Sequence, residues 1–276
     1  ITFAARPGVS KGEALAILEQ AAKDVLPQGY SVDYAGESRQ FKQEGQAMLM
    51  TLALALVVIF LVLSAAFTFY LGGFYERNQA DLLPFFSFHP WLYLFLIPAI
   101  SMRLWSEERK TGSIELLLTL PVTMWQAVVG KFLAAWAFAG IALALTFPLW
   151  ITVNYLGDPD NGAIVAGYVG SFLMAGSFLA IGSCLSALTR NQVVAFILTV
   201  VTCFLLLLAG FPLVLEAAGA VLPQFLVDAV ASLSFLTHFQ SISKGVIDLR
   251  DLVYFALMIG FWLYASAVVI DLKKAD

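Results

Sequence analysis

The side chains that could do chemistry are concentrated in one charged insert, residues 103–131, which lies between two long apolar stretches. It reads RLWSEERKTGSIELLLTLPVTMWQAVVGK and contains an acidic pair, Glu107 and Glu108. Paired carboxylates raise the hypothesis of an intramembrane metalloprotease. Basic residues follow the pair at once, however, and the sequence has neither an HExxH motif nor a histidine placed to complete a zinc site. We therefore predict no catalytic residues.

Other reactive side chains are few and isolated. Cys184 and Cys203 lie in apolar stretches without a CxxC motif, which is typical of small buried side chains. His89, in FSFHPW, fits aromatic packing near a membrane surface, and His238 fits an interfacial position. The sequence lacks a GxxxxGK[ST] phosphate loop. It predicts no metal site, no cofactor and no ATP-binding site on this chain.

The composition identifies the environment that positions these residues. The chain is 61% hydrophobic and 12% charged, and its mean hydropathy is +0.87. A soluble domain has about 45–50% apolar and about 25% charged residues. The net charge of −4 gives no indication of a nucleic-acid partner. A membrane-spanning helix needs roughly 20 apolar residues. We predict an all-α polytopic membrane protein whose six transmembrane helices lie within 47–75, 82–102, 132–157, 161–189, 191–215 and 252–270.

Basic residues predict the orientation. If the insert is cytoplasmic, seven basic residues beyond the first span lie inside and three lie outside, as the positive-inside rule requires. The inside set is Arg103, Arg109, Lys110, Lys131, Arg190, Lys273 and Lys274, and the outside set is Arg77, Lys244 and Arg250. Both termini are then cytoplasmic.

Some stretches depart from simple spans. Residues 217–250 contain two short apolar runs, which predict interfacial or re-entrant helices on the outer face. Pro98, Pro148 and Pro212 are expected to kink their helices. Small residues between 167 and 183 suit close packing of helices.

Residues 1–46 resemble a soluble protein in their patterning. Ser10 and Glu13 form a capping-box pattern before a helical stripe that ends near Pro27. Extended segments are predicted before Pro7 and in YSVDYAG, giving a β-α-β fragment too small to bury a core alone. We divide the chain into this soluble fragment, 1–46, and a six-helix transmembrane domain, 47–276.

The stretch from 1 to about 66 resembles part of the inner-membrane pump of the resistance-nodulation-division (RND) efflux family. The resemblance rests on Pro7, Gly8, Ser10, Gly12, Glu13, Ala14, Leu15, Leu26, Pro27, Gly29, Tyr30, Asp33, Tyr34, Gly36, Glu37, Ser38 and Gln40, whereas Arg6 departs from the pattern. It implies the end of a periplasmic porter subdomain and the following membrane helix. That helix would run inward, whereas the charges of the later loops require it to run outward. This conflict indicates a fusion or chimeric chain joined near 64–68.

Residues from about 67 to 276 are similar to the permease subunits of ABC-2-type transporters, particularly the gliding-motility and copper-processing group. The matching pattern consists of Glu107, Glu108, Arg109, Gly112, Ser113, Ile114, Glu115, Leu116, Leu117, Pro121, Gly130 and Lys131. The resemblance implies that the insert contains a coupling helix against a separate ATP-binding subunit. It further implies a second permease copy or a sister subunit.

The residues of the insert suit that role. Ser113 can cap a helix whose first turn favours Glu115, and Pro121 ends it. We predict that Glu107, Glu108, Arg109, Gly112, Ser113, Glu115 and Pro121 couple the chain to the ATPase. The alternative for the insert is a solvated charge cluster that only sets topology. The predicted function is a multi-pass permease subunit of an ATP-driven exporter in the bacterial inner membrane; the alternative is a fragment of a proton-driven RND pump.

Overall fold

The computed structural model describes residues 37–111, 123–220 and 223–273, together with a few helical positions between residues 17 and 25. Only the backbone is described for residues 37–49. The chain divides into two compact units, residues 1–55 and 56–276. Every regular element in the described part is helical, and no strand occurs there. The two strands predicted for the first 46 residues lie outside the described residues.

The helices follow the apolar stretches in chain order. The first, α1 (Glu37–Ala66), continues directly into a π-helical turn, Phe67–Leu71. The other described helices are α2 (Leu83–Ser101), α3 (Ser106–Thr111), α4 (Met124–Ala144), α5 (Phe147–Leu156), α6 (Asn161–Leu188), α7 (Gln192–Leu208), α8 (Pro212–Gly219), α9 (Gln224–Ser232), α10 (Phe235–Ser243) and α11 (Leu249–Leu272).

Polar side chains fix where several of these helices begin. A capping box between Thr123 and Gln126 starts α4. Asp160 accepts hydrogen bonds from the first backbone N–H groups of α6, and Asn191 does the same for α7. Asp248 caps α11 and therefore places its start at Leu249. These caps satisfy N–H groups that would otherwise lack partners at the helix ends.

Five helical segments are long and apolar enough to cross a membrane, and two bent helix pairs raise the range to seven. The five are Met50–Leu71, Leu83–Lys110, Met124–Leu156, Asn161–Leu188 and Leu249–Leu272. The pair of α7 and α8 is bent by 69°, and the pair of α9 and α10 by 64°. The predicted count of six falls within this range.

Two of the three prolines expected to kink a helix lie in the first turn of one, and the chain is bent by 69° at the break before Pro212. Pro148 lies in the first turn of α5, and Pro212 is the first residue of α8. Proline suits the first turn because its missing N–H would have no partner there. Only Pro98, of the three, lies inside a helix, together with Pro90 in α2.

Side-chain contacts define two ends of the helical bundle. At the basic end, Lys131 contacts the Leu104 carbonyl, and Lys273 contacts the Leu188 carbonyl. At the acidic end, the start of α6 approaches Gly245, where a Cβ would lie 3.2 Å from that of Ala163. Asp158, Asp160, Asp248 and Asp251 lie at the acidic end.

The helix α6 is the most buried of the five candidate spans and lies against α2, α4, α7, α10 and α11. The small residues predicted to allow close packing do so. A Cβ at Gly176 would lie 2.8 Å from Trp136 Nε1, and one at Gly182 would lie 2.0 Å from Ser101 Oγ. A displacement of α6 must therefore be shared by the helices around it.

Candidate coupling site

The start of the charged insert is fastened to α6 through one serine. Ser186 Oγ accepts hydrogen bonds from the backbone N–H groups of Trp105 and Ser106, both at 3.1 Å. It donates its own proton to the Met102 carbonyl at 2.9 Å. A hydroxyl has one proton to donate and two lone pairs, so this side chain is fully used. The turn between α2 and α3 is thus capped by a residue from a third helix.

Trp105 anchors the same turn inside the bundle. Its side chain is fully buried, and its indole Nε1 donates to Ser183 Oγ at 3.0 Å. Ser183 and Ser186 are one helical turn apart, so they face the same side of α6. A buried indole needs a partner for its N–H, and Ser183 supplies one.

Lys131, near the start of α4, links three parts of this turn. Its ammonium group donates to the Leu104 carbonyl at 2.8 Å and forms an ion pair with Glu108. It also lies 4.5 Å from the centre of the Trp105 ring, within the range of a cation–π interaction. The ammonium group has three protons and can serve these partners together. The helices α2, α3 and α4 therefore meet at this side chain.

The last carbonyl groups of α6 receive basic side chains from both neighbours. The Arg109 guanidinium donates to the Ala187 carbonyl, and Lys273 Nζ donates to the Leu188 carbonyl at 2.6 Å. These carbonyls have no partner within α6, and the helix dipole favours positive charge at this end. We call Trp105, Ser106, Glu108, Arg109, Lys131, Ser183 and Ser186 the basic-end junction.

The predicted coupling residues fall into two groups. Glu107, Glu108 and Arg109 lie on the six-residue helix α3 and are partly buried, while Lys110 is exposed. The acidic residues occupy the first turn and the basic residues the last, which is the favourable order for the helix dipole. Gly112, Ser113, Glu115 and Pro121 lie outside the residues that the structure describes.

The residues that fasten α3 to α6 were missed by sequence reasoning. Ser183 was assigned to close packing, and Trp105 and Ser186 received no role. Trp105 is about 80 positions from both serines in the sequence, so no local pattern relates them. Two serines one turn apart near the end of an apolar helix could nevertheless have indicated a polar contact there. Lys131 was assigned to the cytoplasmic set of basic residues, and its ion pair with Glu108 was not predicted.

The remaining reactive side chains are separate from this site. Cys184 and Cys203 are buried free thiols, as predicted. Among the described residues, no group of three or more His, Cys, Asp or Glu side chains could hold a metal. His89 is buried among aromatic rings with Nδ1 2.7 Å from Ser171 Oγ, well inside the bundle. His238, expected at an interface, is also buried.

Apolar helices of spanning length, packed around α6 and joined by a charged insert, define a multi-pass membrane protein. The sequence model described as "ABC-2 family transporter protein" matches residues 25–270. The chain therefore belongs to the ABC-2 transporter family, and it is a membrane transport component. This confirms the family predicted from the pattern of the insert.

A second similarity is short. An uncharacterized transporter of Haemophilus influenzae (strain ATCC 51907 / DSM 11121 / KW20 / Rd) is 54% identical over 61 residues. The match includes 22% of this chain and 6% of that protein, so the chain spans only a small part of this relative. The predicted relationship of residues 1–66 to RND pumps stays a prediction, and so does the assignment of residues 67–276 to the gliding-motility and copper-processing group.

Proposed function

We propose that this chain is the transmembrane subunit of an ATP-driven ABC-2 exporter, operated through residues 103–131 by a separate ATP-binding subunit. The observation that carries the proposal is the basic-end junction. Ser186 joins the α2–α3 turn to α6, so a push on α3 reaches the most buried helix through hydrogen bonds. A second copy or a sister permease completes the transport pathway.

The charges of α3 suit docking to a protein surface. Lys110 is exposed, and Glu107 is partly exposed beside it. Exposed charges of both signs favour recognition of a complementary partner. The other side of α3 is held by the bundle through Arg109 and Glu108. The helix can thus bind a partner on one side and transmit its displacement on the other.

The positions of the helix ends support six crossings and a cytoplasmic basic end. The helix α7 starts at the basic end, next to the end of α6, whereas α11 starts at the acidic end. The chain from the start of α7 to the start of α11 must therefore cross the membrane an odd number of times, and α7 accounts for one crossing. In this arrangement α9 and α10 form a re-entrant pair. The excess of basic residues at the basic end favours a cytoplasmic position for that end, and we propose that the membrane is a bacterial inner membrane.

The experiment that tests this function is co-purification followed by an ATPase assay. The tagged full chain is isolated from the membranes of its native host, with the triple variant Glu107→Gln, Gly112→Val and Glu115→Gln as comparison. We expect an ATP-binding subunit to accompany the wild-type chain, and the variant to insert normally but lose transport-linked hydrolysis. Undiminished partner binding and transport in the variant would contradict the coupling role.

A fragment of a proton-driven RND pump is the second candidate function. The 61-residue match to a much longer transporter is the observation that favours it, since the RND resemblance covers a stretch of similar length. The two functions differ in their energy source. Solute movement driven by a pH gradient in proteoliposomes that contain this chain alone would support the pump, whereas dependence on ATP and a partner would support the exporter.

A further inference from the structure

The pair of helices α9 and α10 is packed into the acidic end of the bundle. The break between them lies at Leu233 and Ser234, and Ser234 is fully buried. Beyond the break, Phe235 contacts Phe178 of α6, with ring centres 5.0 Å apart. Ile242 lies against Gly170 of the same helix. The helix α10 therefore contributes to the core and must be held there.

One histidine side chain holds both helices of the pair to α11. His238 Nδ1 lies 2.6 Å from Asp251 Oδ1, and its Nε2 lies 3.0 Å from the Ser232 carbonyl at the end of α9. The two side chains are 5% and 8% exposed. Tyr254 stacks on the imidazole with ring centres 4.0 Å apart and donates its hydroxyl to the Leu233 carbonyl at 2.6 Å. The carbonyl groups at the break are thus satisfied by His238 and Tyr254.

The partners of His238 determine how many protons the site must contain. Both ring nitrogens face oxygen atoms, and a backbone carbonyl can only accept a hydrogen bond. A neutral imidazole has a single N–H, so it cannot donate to Ser232 and to an ionised Asp251 together. The geometry requires one further proton between the ring and the carboxyl group.

We propose that His238 and Asp251 form a buried proton-binding site, an imidazolium–carboxylate pair that fastens the α9–α10 pair to α11. After release of this proton, only one ring nitrogen of His238 carries a hydrogen. Either Nδ1 then faces the Asp251 carboxylate without a proton, or Nε2 faces the Ser232 carbonyl without one. Either contact is repulsive in a buried site. The fastening of the α9–α10 pair to α11 therefore depends on this proton. This inference concerns the acidic end and does not depend on the coupling function.

No other charge of the described residues compensates for loss of this proton. The helices α2, α6 and α7, which pack against α10, contain no Asp, Glu, Lys or Arg. On α9, Asp228 is exposed and bonded to Gln224, and the nearby Lys244, Asp248 and Arg250 are exposed as well. The uncharged titratable side chains of the packing helices are His89 and Tyr93 of α2, Tyr168 and Cys184 of α6, Cys203 of α7, and Tyr254 and Tyr264 of α11. Of these, Tyr254 is in contact with His238.

Nitrogen-15 NMR tests the protonation state directly, because the chain contains two histidines. The full chain is labelled at histidine and reconstituted in lipid bilayers at neutral pH, with His238→Gln identifying the signals. We expect two protonated nitrogens on His238 and one on His89, whose Nδ1 is hydrogen-bonded to the Ser171 hydroxyl. A singly protonated His238 at neutral pH would overturn the proposal.

Hydrogen–deuterium exchange of residues 223–248 tests the fastening itself. After correction for intrinsic exchange rates, protection in the wild-type chain should fall about tenfold when the proton leaves, the size expected for one net hydrogen bond. Asp251→Asn should remain protected at every pH, because its amide can donate to a neutral Nδ1 while Nε2–H still serves Ser232. Asp228→Asn, an exposed carboxyl group on α9, should behave as wild type.

Two results would contradict this part of the proposal. One is a loss of protection in Asp251→Asn that follows the same pH dependence as the wild-type chain. The other is constant protection in the wild-type chain across a pH range in which NMR shows that His238 loses its second proton. In His238→Ala, where Asp251 has no partner, protection should be low at every pH.

Discussion

The basic-end junction and the His238–Asp251 pair both fasten a short helix to the bundle, but they use different chemistry. At the basic end, α3 and the turn before it are held by the Ser186 hydroxyl, the Trp105 indole and the basic side chains of Arg109 and Lys131. Lys131 and Glu108 are each 26% exposed. At the acidic end, an almost fully buried imidazole and carboxyl group bind α9 and α10. The comparison indicates that the first contact is spread over several side chains, whereas the second depends on one proton.

The largest difference should appear when the basic partner of each carboxylate is removed. We expect His238→Ala to lower the free energy of unfolding by about 3 kcal/mol, because Asp251 is left charged and buried. Lys131→Ala should cost less, about 1 kcal/mol, because the side chains of Lys131 and Glu108 are more exposed than those of His238 and Asp251. Reversible unfolding in mixed micelles measures both values. Equal losses would show that exposure does not distinguish the two ends.

The role of Ser186 can be tested by a matched pair of substitutions on α6. Ser186→Ala removes three hydrogen bonds to the α2–α3 turn and should destabilise the chain by about 2 kcal/mol. Ser177→Ala removes one hydroxyl that is equally buried but bonds only to Leu173 of its own helix. Its cost should be below about 1 kcal/mol. If both variants unfold alike, Ser186 does not fasten the insert.

The smallest effect is expected at the end of α6. Lys273→Gln removes a positive charge from the Leu188 carbonyl and should cost less than about 1 kcal/mol, decreasing as salt screens the helix end. Lys273→Arg retains the charge and serves as the control. Chemical unfolding at low and high salt distinguishes the variants. A salt-independent loss would indicate that Lys273 acts through packing.

The apolar stretches predicted most of the helices, because spanning length and lack of charge are properties of local sequence. They predicted the start of α11 less well. The cap at Asp248 sets that start at Leu249, so Asp251 lies inside the helix and not in a solvated loop. The short apolar runs within 217–250 predicted two short helices in this stretch, whereas the burial of α10 was not predicted.

The contacts of both ends could not be predicted because they join residues that are distant in sequence. Trp105 and Ser183 are 78 positions apart, and no periodicity relates them. His238 and Asp251 are only 13 apart, but they become neighbours because the chain turns at Gly245, whose φ of +90° favours glycine. Insert residues such as Glu107 could be assigned from the family pattern, whereas their anchoring partners could not.

Site-directed crosslinking tests most directly that α3 receives the ATP-binding subunit. Cys184 and Cys203 are buried, so a cysteine introduced at an exposed position is the accessible thiol among the described residues. Lys110→Cys probes α3 at the basic end, and Lys244→Cys probes an equally exposed lysine at the acidic end. With a short bifunctional reagent in native membranes, we predict a crosslink to an ATP-binding protein from position 110 and none from position 244. A crosslink from position 244 alone would contradict the account.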